Sequence, residues 1–234
     1  MDKQICIITA RGGSKRIPKK NIKDFCGKPI VAYSINVALE SKLFDEVMVS
    51  TDDHEIAEVA RKYGASVPFM RSAKTSDDYT PTVPVLIEVI EEYRKLNKNY
   101  KYLCCIYPTA PLIKKERLIE AQEMLINQDL DCVFPILRFG FPIQRAFRRN
   151  ENSLVSMLHP ENLIVRSQDL EPTYQDAGQF YFMNVERMFI KRALVTDRTA
   201  GLLLSDMEAQ DIDNIEDWHV AEFKYKYSQQ LNSK

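Results

Sequence analysis

The chain of 234 residues has an ordinary globular composition, with 45% hydrophobic and 28% charged residues. Its 32 basic and 33 acidic side chains nearly cancel, which argues against a general nucleic-acid-binding protein, because such proteins usually carry a broad basic face. No apolar run approaches the roughly 20 residues that cross a bilayer, so we expect no membrane partner. The five cysteines form no CxxC pair, which predicts a reduced, cytoplasmic protein without disulfides or a zinc site.

Short apolar runs alternate with stretches of helical periodicity along the chain. The predicted strands cover residues 4–9, 46–51, 66–70, 102–107, 131–137, 178–184 and 201–204. The predicted helices cover residues 30–41, 53–63, 82–96, 114–127 and 214–230. The β-α-β order over about the first 135 residues predicts an α/β fold with a Rossmann-like, mostly parallel sheet and helices on both faces.

The alternation breaks over residues 138–175, where aromatic side chains, arginines and prolines occur without a long helix. We interpret this segment, called the excursion below, as irregular strands and loops that leave the main sheet. It covers the active site, meets a partner subunit, or does both. Residues 1–234 are therefore expected to form one domain that carries the excursion.

The segment ARGGSKRIPKKN, residues 10–21 and called the basic loop below, follows the first predicted strand. In such sheets, ligands bind beyond the carboxyl ends of the strands, and this loop lies at such an end. Gly12 and Gly13 permit close backbone approach to a ligand and tolerate positive φ. The cations able to reach phosphate oxygens are Arg11, Lys15 and Lys20. The loop matches neither GxxxxGK[ST] nor GxGxxG, and the spacing alone fits a solvated basic turn equally well.

Two carboxylates, Asp211 and Asp213, lie two residues apart in the segment DIDNIEDW. If this segment is extended, both carboxylates point to one face, and Mg²⁺ commonly takes one or two such ligands together with substrate phosphates. The alternative is an acidic turn in which Asp213 or Asn214 caps the last helix. A similar choice applies to STDD, residues 50–53, which either caps the following helix or contacts a ligand.

Together, these segments resemble the CMP-sialic acid synthetase family, the cytidylyltransferases that activate nine-carbon acidic sugars. The matching segments span almost the whole chain: ARGGSKRIPKKN, GKPIVAYSI, STDDHEIAEVARKYGA, TPTVPVL, YPTAPL, VRSQDLEPTY and DIDNIEDWHVAE. Two further segments, YQDAGQFYF and GFPIQRAF, are most similar to the branch that activates pseudaminic acid. A sialic-acid enzyme more often has an NG pair where this chain has Ala177 and Gly178.

The resemblance implies a nucleotide-diphospho-sugar transferase fold, Mg²⁺ as cofactor, and CTP and an acidic nine-carbon sugar as substrates of a homodimer. It implies that Asp211 and Asp213 hold the metal, and that the catalytic residues are Arg11, Lys15, Lys20 and Asp211. The implied nucleotide-binding residues are Arg11, Gly12, Gly13, Ser14, Lys15, Lys20, Asn21, Arg71, Ser76 and Asp77. The implied sugar-binding residues are Thr109, Arg166, Gln168, Tyr174, Gln179 and Tyr181.

Two questions stay open at this point. Tyr107 stands where the family usually has glutamine, so a sugar contact from that position is in doubt. The acceptor is pseudaminic acid or, alternatively, N-acetylneuraminic, legionaminic or 3-deoxy-manno-octulosonic acid. The alternative from another functional class is a catalytically silent nucleotide-binding protein. A chain that had lost the carboxylate pair or the loop lysines would favour this alternative, whereas the present chain has both.

Overall fold

The computed structural model describes residues 2–232. Its strands are β1 (Gln4–Thr9), β2 (Asp24–Phe25), β3 (Lys28–Pro29), β4 (Glu46–Ser50), β5 (Tyr102–Ile106), β6 (Cys132–Arg138), β7 (Phe147–Arg149), β8 (Val155–Met157), β9 (Tyr174–Asp176), β10 (Phe180–Asn184) and β11 (Thr199–Leu203). Its α-helices are α1 (Ile30–Ser41), α2 (His54–Lys62), α3 (Thr82–Lys95), α4 (Lys115–Asn127), α5 (Val185–Lys191) and α6 (Ile215–Asn232).

The described residues build a seven-stranded central sheet in the order β11-β6-β10-β5-β1-β4, with β9 also paired to β6. β1 runs parallel to β4 and β5, and β11 runs parallel to β6. β10 is antiparallel to both of its neighbours, β5 and β6. The predicted mostly parallel sheet is therefore confirmed. The turn before β10 lies at the same edge as the carboxyl ends of β1, β4 and β5.

The core consists of two layers, one on each face of the sheet. Along β1, Cys6 and Ile8 face the layer covered by α1, α2 and α4, whereas Ile5 and Ile7 face the layer covered by α3 and α5. This alternation follows from the two-residue period of a strand, and a strand buried on both faces reads as a continuous apolar run. The predicted helices on both faces are confirmed.

One buried acid ties the far edge of the sheet to α3. The carboxylate of Glu46, on β4, is only 15% exposed. Its hydrogen-bond donors are Ser66 (2.7 Å), Lys98 (2.7 Å), Tyr93 (2.8 Å) and Tyr100 (3.0 Å). Burial alone would raise the pKa of Glu46, but these donors lower it from 4.5 to about 2. The network therefore stabilises the fold through the ionised carboxylate.

Most predicted elements are confirmed to within two residues, and the exceptions have local causes. The strand predicted over residues 66–70 is wrong, because only Ser66 bridges to the sheet and Pro68 lacks the amide that a longer ladder needs. The strand predicted over residues 178–184 begins at Phe180. The sequence prediction missed α5, which has only seven residues and starts directly after β10, with the Asn184 side chain accepting from the amide of Arg187 at 3.2 Å.

The excursion contains one small hairpin, β7 paired with β8, and several single turns. Large apolar side chains lie exposed along it, including Phe141 (85% exposed) and Ile164 (92%). Exposed apolar surface of this kind marks an interaction site more often than a free surface. Within residues 2–232, no helix is both long enough and apolar enough to cross a membrane. All five cysteines are free.

Candidate active site

A cavity of about 510 Å³ opens at the carboxyl edge of β1 and β5. The basic loop forms one wall, and the start of α3 and the turn after β5 form a second. Asp211 and Asp213, which precede α6, form a third wall, so the two ends of the chain meet here. The cations on the wall of the cavity are Arg11, Lys15, Arg16 and Lys20. The cavity therefore brings four cations of the basic loop together with the acidic pair.

The basic loop is held in place by hydrogen bonds of its backbone and of the Asn21 and Lys20 side chains. The Asn21 side chain donates to the carbonyl of Arg11 at 2.8 Å, and the amide of Gly12 donates to Asp52 Oδ1 at 2.9 Å. Lys20 Nζ donates to the carbonyl of Ile212 at 2.6 Å. Burial lowers the pKa of Lys20, and the carboxylates of Asp213 and Asp211 oppose that shift.

Glycine is required at position 12 because the backbone there lies close to the Asp53 side chain. A Cβ at this position would lie 2.9 Å from Asp53 Oδ2 and 3.0 Å from Asp53 Cβ. Asp53 caps α2 by accepting from the amides of Glu55 (2.8 Å) and Ile56 (3.1 Å), as one reading of STDD predicts. A Cβ at Gly13 would meet only Arg11 Nη1, at 3.7 Å. Neither glycine is among the described residues with positive φ, so the freedom predicted for them is not used.

Neither Asp211 nor Asp213 caps α6 with its carboxylate, because Asn214 does so instead. The Asn214 side chain accepts from the amides of Glu216 (2.8 Å) and Asp217 (3.0 Å). Asp213 Oδ2 pairs with Arg16 Nη1 at 3.0 Å. Burial raises the pKa of Asp211, and the neighbouring charge of Asp213 raises it further.

The turn between β9 and β10 lies next to the Asp211 side chain. Gly178 has φ +63, and a Cβ there would lie 3.4 Å from Asp211 Cγ. Its amide donates to Asp176 Oδ1 at 2.8 Å, and Asp176 Oδ2 accepts from the Tyr181 hydroxyl at 2.6 Å. The backbone conformation at Gly178 thus sets the surroundings of Asp211.

The donor chemistry of the acidic pair fits a hard cation. No group of three His, Cys, Asp or Glu side chains suited to a metal occurs in the part of the chain that the structure describes. Two carboxylates would therefore supply the protein ligands, and substrate phosphates and water the rest. This is the ligand set that Mg²⁺ usually takes.

Five of the predicted nucleotide-binding residues do not line the cavity: Gly12 and Gly13 of the basic loop, and Arg71, Ser76 and Asp77. Arg71 is only 8% exposed and donates to Ser50, through Nη2 to its carbonyl at 2.7 Å and through Nε to its hydroxyl at 3.0 Å. The Ser76 hydroxyl donates to the carbonyl of Ser72 at 2.8 Å, and Asp77 accepts from two amides of its own turn. These side chains order the segments beside the cavity, and their contact with a nucleotide stays a prediction.

The predicted sugar-binding residues are spread over several surfaces of the chain. Thr109 lines the cavity, whereas Gln168 lines a second cavity of about 640 Å³ between the excursion and the end of β11. Tyr174 is 46% exposed on β9, and Arg166 is exposed at the start of a turn in the excursion. Gln179 and Tyr181 are buried, Gln179 donating to the carbonyl of Glu208 at 2.6 Å. The single chain does not bring this set together.

Seven residues on the cavity wall were not among the predicted site residues: Thr9, Arg16, Ile17, Asp78, Thr82, Tyr107 and Pro108. The hydroxyls of Thr82 and Tyr107 lie 3.0 Å apart, and the ring of Tyr107 packs against that of Tyr181 with centroids 5.4 Å apart. Asp78 pairs with both Arg11 and Lys15. The position of Tyr107 directly after the strand β5 was a usable signal for a residue at the carboxyl edge, and Thr82, the first residue of α3, lies within hydrogen-bond distance of it. No sequence pattern distinguishes Asp78 from its neighbour Asp77.

Comparisons with known proteins agree on one family. Residues 5–224 match the family model described as cytidylyltransferase. The chain is 45% identical to the pseudaminic acid cytidylyltransferase of Campylobacter jejuni over 96% of its own length and 97% of the relative's. It is 31% identical to the CMP-N,N'-diacetyllegionaminic acid synthase of Legionella pneumophila, covering 93% of this chain and 94% of that one.

A solved structure supports the same fold. The structure of a CMP:2-keto-3-deoxy-manno-octonic acid synthetase complexed with CTP superposes with a TM-score of 0.69 at 15% identity, covering 97% of this chain and 99% of that chain. At this identity the likeness concerns the fold alone. The central sheet and its flanking helices therefore share the fold of that structure.

Proposed function

The chain belongs to the cytidylyltransferase family, and we propose that it transfers the cytidylyl group of CTP to pseudaminic acid, giving CMP-pseudaminic acid and pyrophosphate. The observation that carries the proposal is the similarity to the Campylobacter jejuni enzyme over almost the full length of both chains. The cavity agrees with it in chemistry, since cations for a triphosphate face carboxylates suited to a metal across one space.

In this reaction the anomeric hydroxyl of the sugar attacks the α-phosphorus of CTP and pyrophosphate leaves in line. Negative charge accumulates on the phosphoryl and leaving-group oxygens, so fixed cations stabilise the transition state more than the ground state. Lys20 is suited to this role because its ammonium is half-buried and fixed by the carbonyl of Ile212. Arg11 and Lys15 add donors from the same loop, and Gly12, Gly13, Ser14 and Asn21 shape the backbone around the nucleotide.

Asp211 and Asp213 would hold Mg²⁺ at the third wall. The bound ion would supply charge neutralisation at the α-phosphate. For this, Asp213 has to leave Arg16, with which it pairs in the described structure. Arg16 is 68% exposed at its side chain and is free to turn toward the phosphates.

We propose a cytoplasmic homodimer in which the excursion of each one-domain protomer completes the sugar pocket of its partner. The exposed apolar side chains of the excursion support this arrangement, as does the absence of the exposed Arg166 and Tyr174 from the cavity that Thr109 lines. A cytoplasmic protein meets the CTP pool, and its free cysteines are compatible with a reducing compartment.

The experiment is pyrophosphate release from CTP and Mg²⁺ with one acceptor at a time: pseudaminic, N,N'-diacetyllegionaminic, N-acetylneuraminic and 3-deoxy-manno-octulosonic acid. Release with pseudaminic acid far above the others is expected. Faster release with another acid would keep the reaction and replace the acceptor. CTP binding without release for any acid would favour the silent nucleotide-binding protein. Asp211→Asn serves as the control that links any release to this cavity.

A further inference from the structure

Asp78 makes a contact in the cavity that the reaction outlined above does not use. Its Oδ1 pairs with Arg11 Nη1 and its Oδ2 pairs with Lys15 Nζ, so one carboxylate joins two cations of the basic loop. Within residues 2–232, neither cation has another acidic partner. Asp78 lies on the wall of the same cavity. An anion of the chain thus occupies the donors that are proposed to hold phosphate oxygens.

A carboxylate and a phosphate group accept hydrogen bonds from the same donors of Arg11 and Lys15. Each offers two oxygens at the spacing that neighbouring N–H groups can reach, and Arg forms such contacts with both anions. Two anions cannot hold the same hydrogens at once, and like charges brought together repel. A triphosphate that takes the hydrogens of Arg11 Nη1 and Lys15 Nζ now bonded to Asp78 therefore displaces this carboxylate, and one that uses their other hydrogens is repelled by it.

We propose that Asp78 is an internal anion that leaves Arg11 and Lys15 when a triphosphate binds and returns to them when pyrophosphate departs. The inference rests on the proposed function, because it takes Arg11 and Lys15 as triphosphate ligands. It makes Asp78 a residue that sets the affinity for the pyrophosphate part of the nucleotide. CMP lacks the pyrophosphate part, so Asp78 weakens the binding of CTP and pyrophosphate but not of CMP, and it thereby narrows the difference in affinity between CTP and CMP.

The surrounding loop allows this exchange without a change of backbone. Glu88 on α3 anchors the loop by accepting from the amide of Ser72 (2.9 Å) and the hydroxyl of Thr75 (2.8 Å). Next to Asp78, the Asp77 side chain fixes the turn by accepting from the amide of Thr80 at 2.6 Å. The Asp78 side chain is 27% exposed and takes part in no such bond, so it can rotate alone.

The charge state of Asp78 is compatible with this role. Hydrogen bonds from Lys15 and then Arg11 lower the pKa of Asp78, so the carboxylate is an anion throughout the neutral range. Lys20, in contrast, donates to a neutral carbonyl and has no carboxylate to displace. The cavity therefore combines one cation that is ready for phosphate with two that Asp78 releases only to a competing anion.

The test measures dissociation constants for pyrophosphate, CTP and CMP by titration calorimetry, with Mg²⁺ and without acceptor sugar. Asp78→Asn is compared with the wild type and with Glu55→Gln. Glu55 is the matched control, since it pairs with Lys19 of the same loop at 2.5 Å, and Lys19 does not line the cavity. Each variant removes one negative charge next to the basic loop; Asp78→Asn removes two ion pairs of the loop and Glu55→Gln removes one.

We expect Asp78→Asn to bind pyrophosphate and CTP about five- to tenfold more tightly, as the loss of two competing exposed ion pairs implies, and CMP within about twofold of the wild type. Glu55→Gln should stay within about twofold for all three ligands. Unchanged or weaker pyrophosphate binding by folded Asp78→Asn, or equal tightening by Glu55→Gln, would overturn the inference. Asp78→Ser repeats the test should the asparagine variant misfold. A wild type that binds CTP no better than CMP would instead count against the proposed function.

Discussion

Gly12 and Gly13 are chemically identical neighbours that the structure predicts to respond in opposite ways to a methyl group. Gly12→Ala places a Cβ 2.9 Å from Asp53 Oδ2 and 3.0 Å from Asp53 Cβ, so rotating the carboxylate alone does not relieve the contact. Asp53 has to move as a residue, and α2 then loses its N-cap. Loss of such a cap costs about 1 kcal/mol, which for a chain of this size lowers Tm by roughly 2–4 °C.

Gly13→Ala is the matched control. Its Cβ would meet only Arg11 Nη1 at 3.7 Å, and the backbone there does not have positive φ. The substitution should be neutral or stabilise by about 0.4–1 kcal/mol, because alanine reduces the freedom of the unfolded chain. We therefore expect the two variants to differ by about 1–2 kcal/mol in the free energy of unfolding.

The assay is urea unfolding of both variants beside the wild type, followed by tryptophan fluorescence at the single Trp218. Calorimetry gives Tm independently. Equal stability of the two variants, or a Gly12→Ala protein as stable as the wild type, would refute the reasoning about the contact with Asp53. A lower slope with denaturant in one variant only would indicate loss of two-state unfolding, and the calorimetric Tm would then decide.

Three further predictions concern charge. Asp211→Asn should lower kcat about 100-fold, since one electrostatic contact of this kind contributes on the order of 3 kcal/mol. KM for CTP should change less, because Lys20 remains. A near-normal kcat would show that Asp211 takes no part in the mechanism. Lys20→Ala should raise KM for CTP and lower kcat, whereas Lys19→Ala, outside the cavity, should leave KM for CTP near the wild-type value; equal effects would contradict the assignment. Glu46 has a pKa of about 2 in the fold, below its ordinary 4.5, so its contribution is present above about pH 4.5 and lost as the pH falls toward 2. Glu46→Gln should therefore destabilise the protein by about 1–2 kcal/mol at pH 7 and by less at pH 3, and a pH-independent loss would argue against the ionised network.

The fold could be predicted where the sequence carries a regular period. The continuous apolar run of β1 required burial on both faces, and the helical periods of α1, α3 and α4 indicated which stretches cover the sheet. The wrongly predicted strand over residues 66–70 could not be excluded from side-chain type alone. Whether such a run forms a strand depends on hydrogen-bond partners in a neighbouring strand, and here only Ser66 has one. The helix α5 was not predicted because its seven residues cover only about two helical turns, too few to show a periodic apolar pattern.

The candidate site was predictable only in part, because its walls are far apart in the sequence. The basic loop and the acidic pair each fitted a solvated turn as well as a ligand site. The fold brings them together through the contact of Lys20 Nζ with the carbonyl of Ile212, which spans 192 positions. The motif DIDNIEDW predicted either Asp213 or Asn214 as the cap of α6, and the hydrogen bonds of the Asn214 side chain decide between them. The position of Asp78 on the cavity wall could not be predicted, because Asp78 lies in a loop whose sequence has no periodic pattern.

The central claim is cytidylyl transfer in this cavity, and the most direct measurement follows the α-phosphorus. CTP labelled at the α-phosphate is incubated with pseudaminic acid, Mg²⁺ and the protein, and the products are separated. The account predicts that the label appears in CMP-pseudaminic acid, with none in pyrophosphate, and that Asp211→Asn slows its appearance about 100-fold. Label that remains in CTP, or that appears as free CMP at the same rate with and without the sugar, would contradict the account.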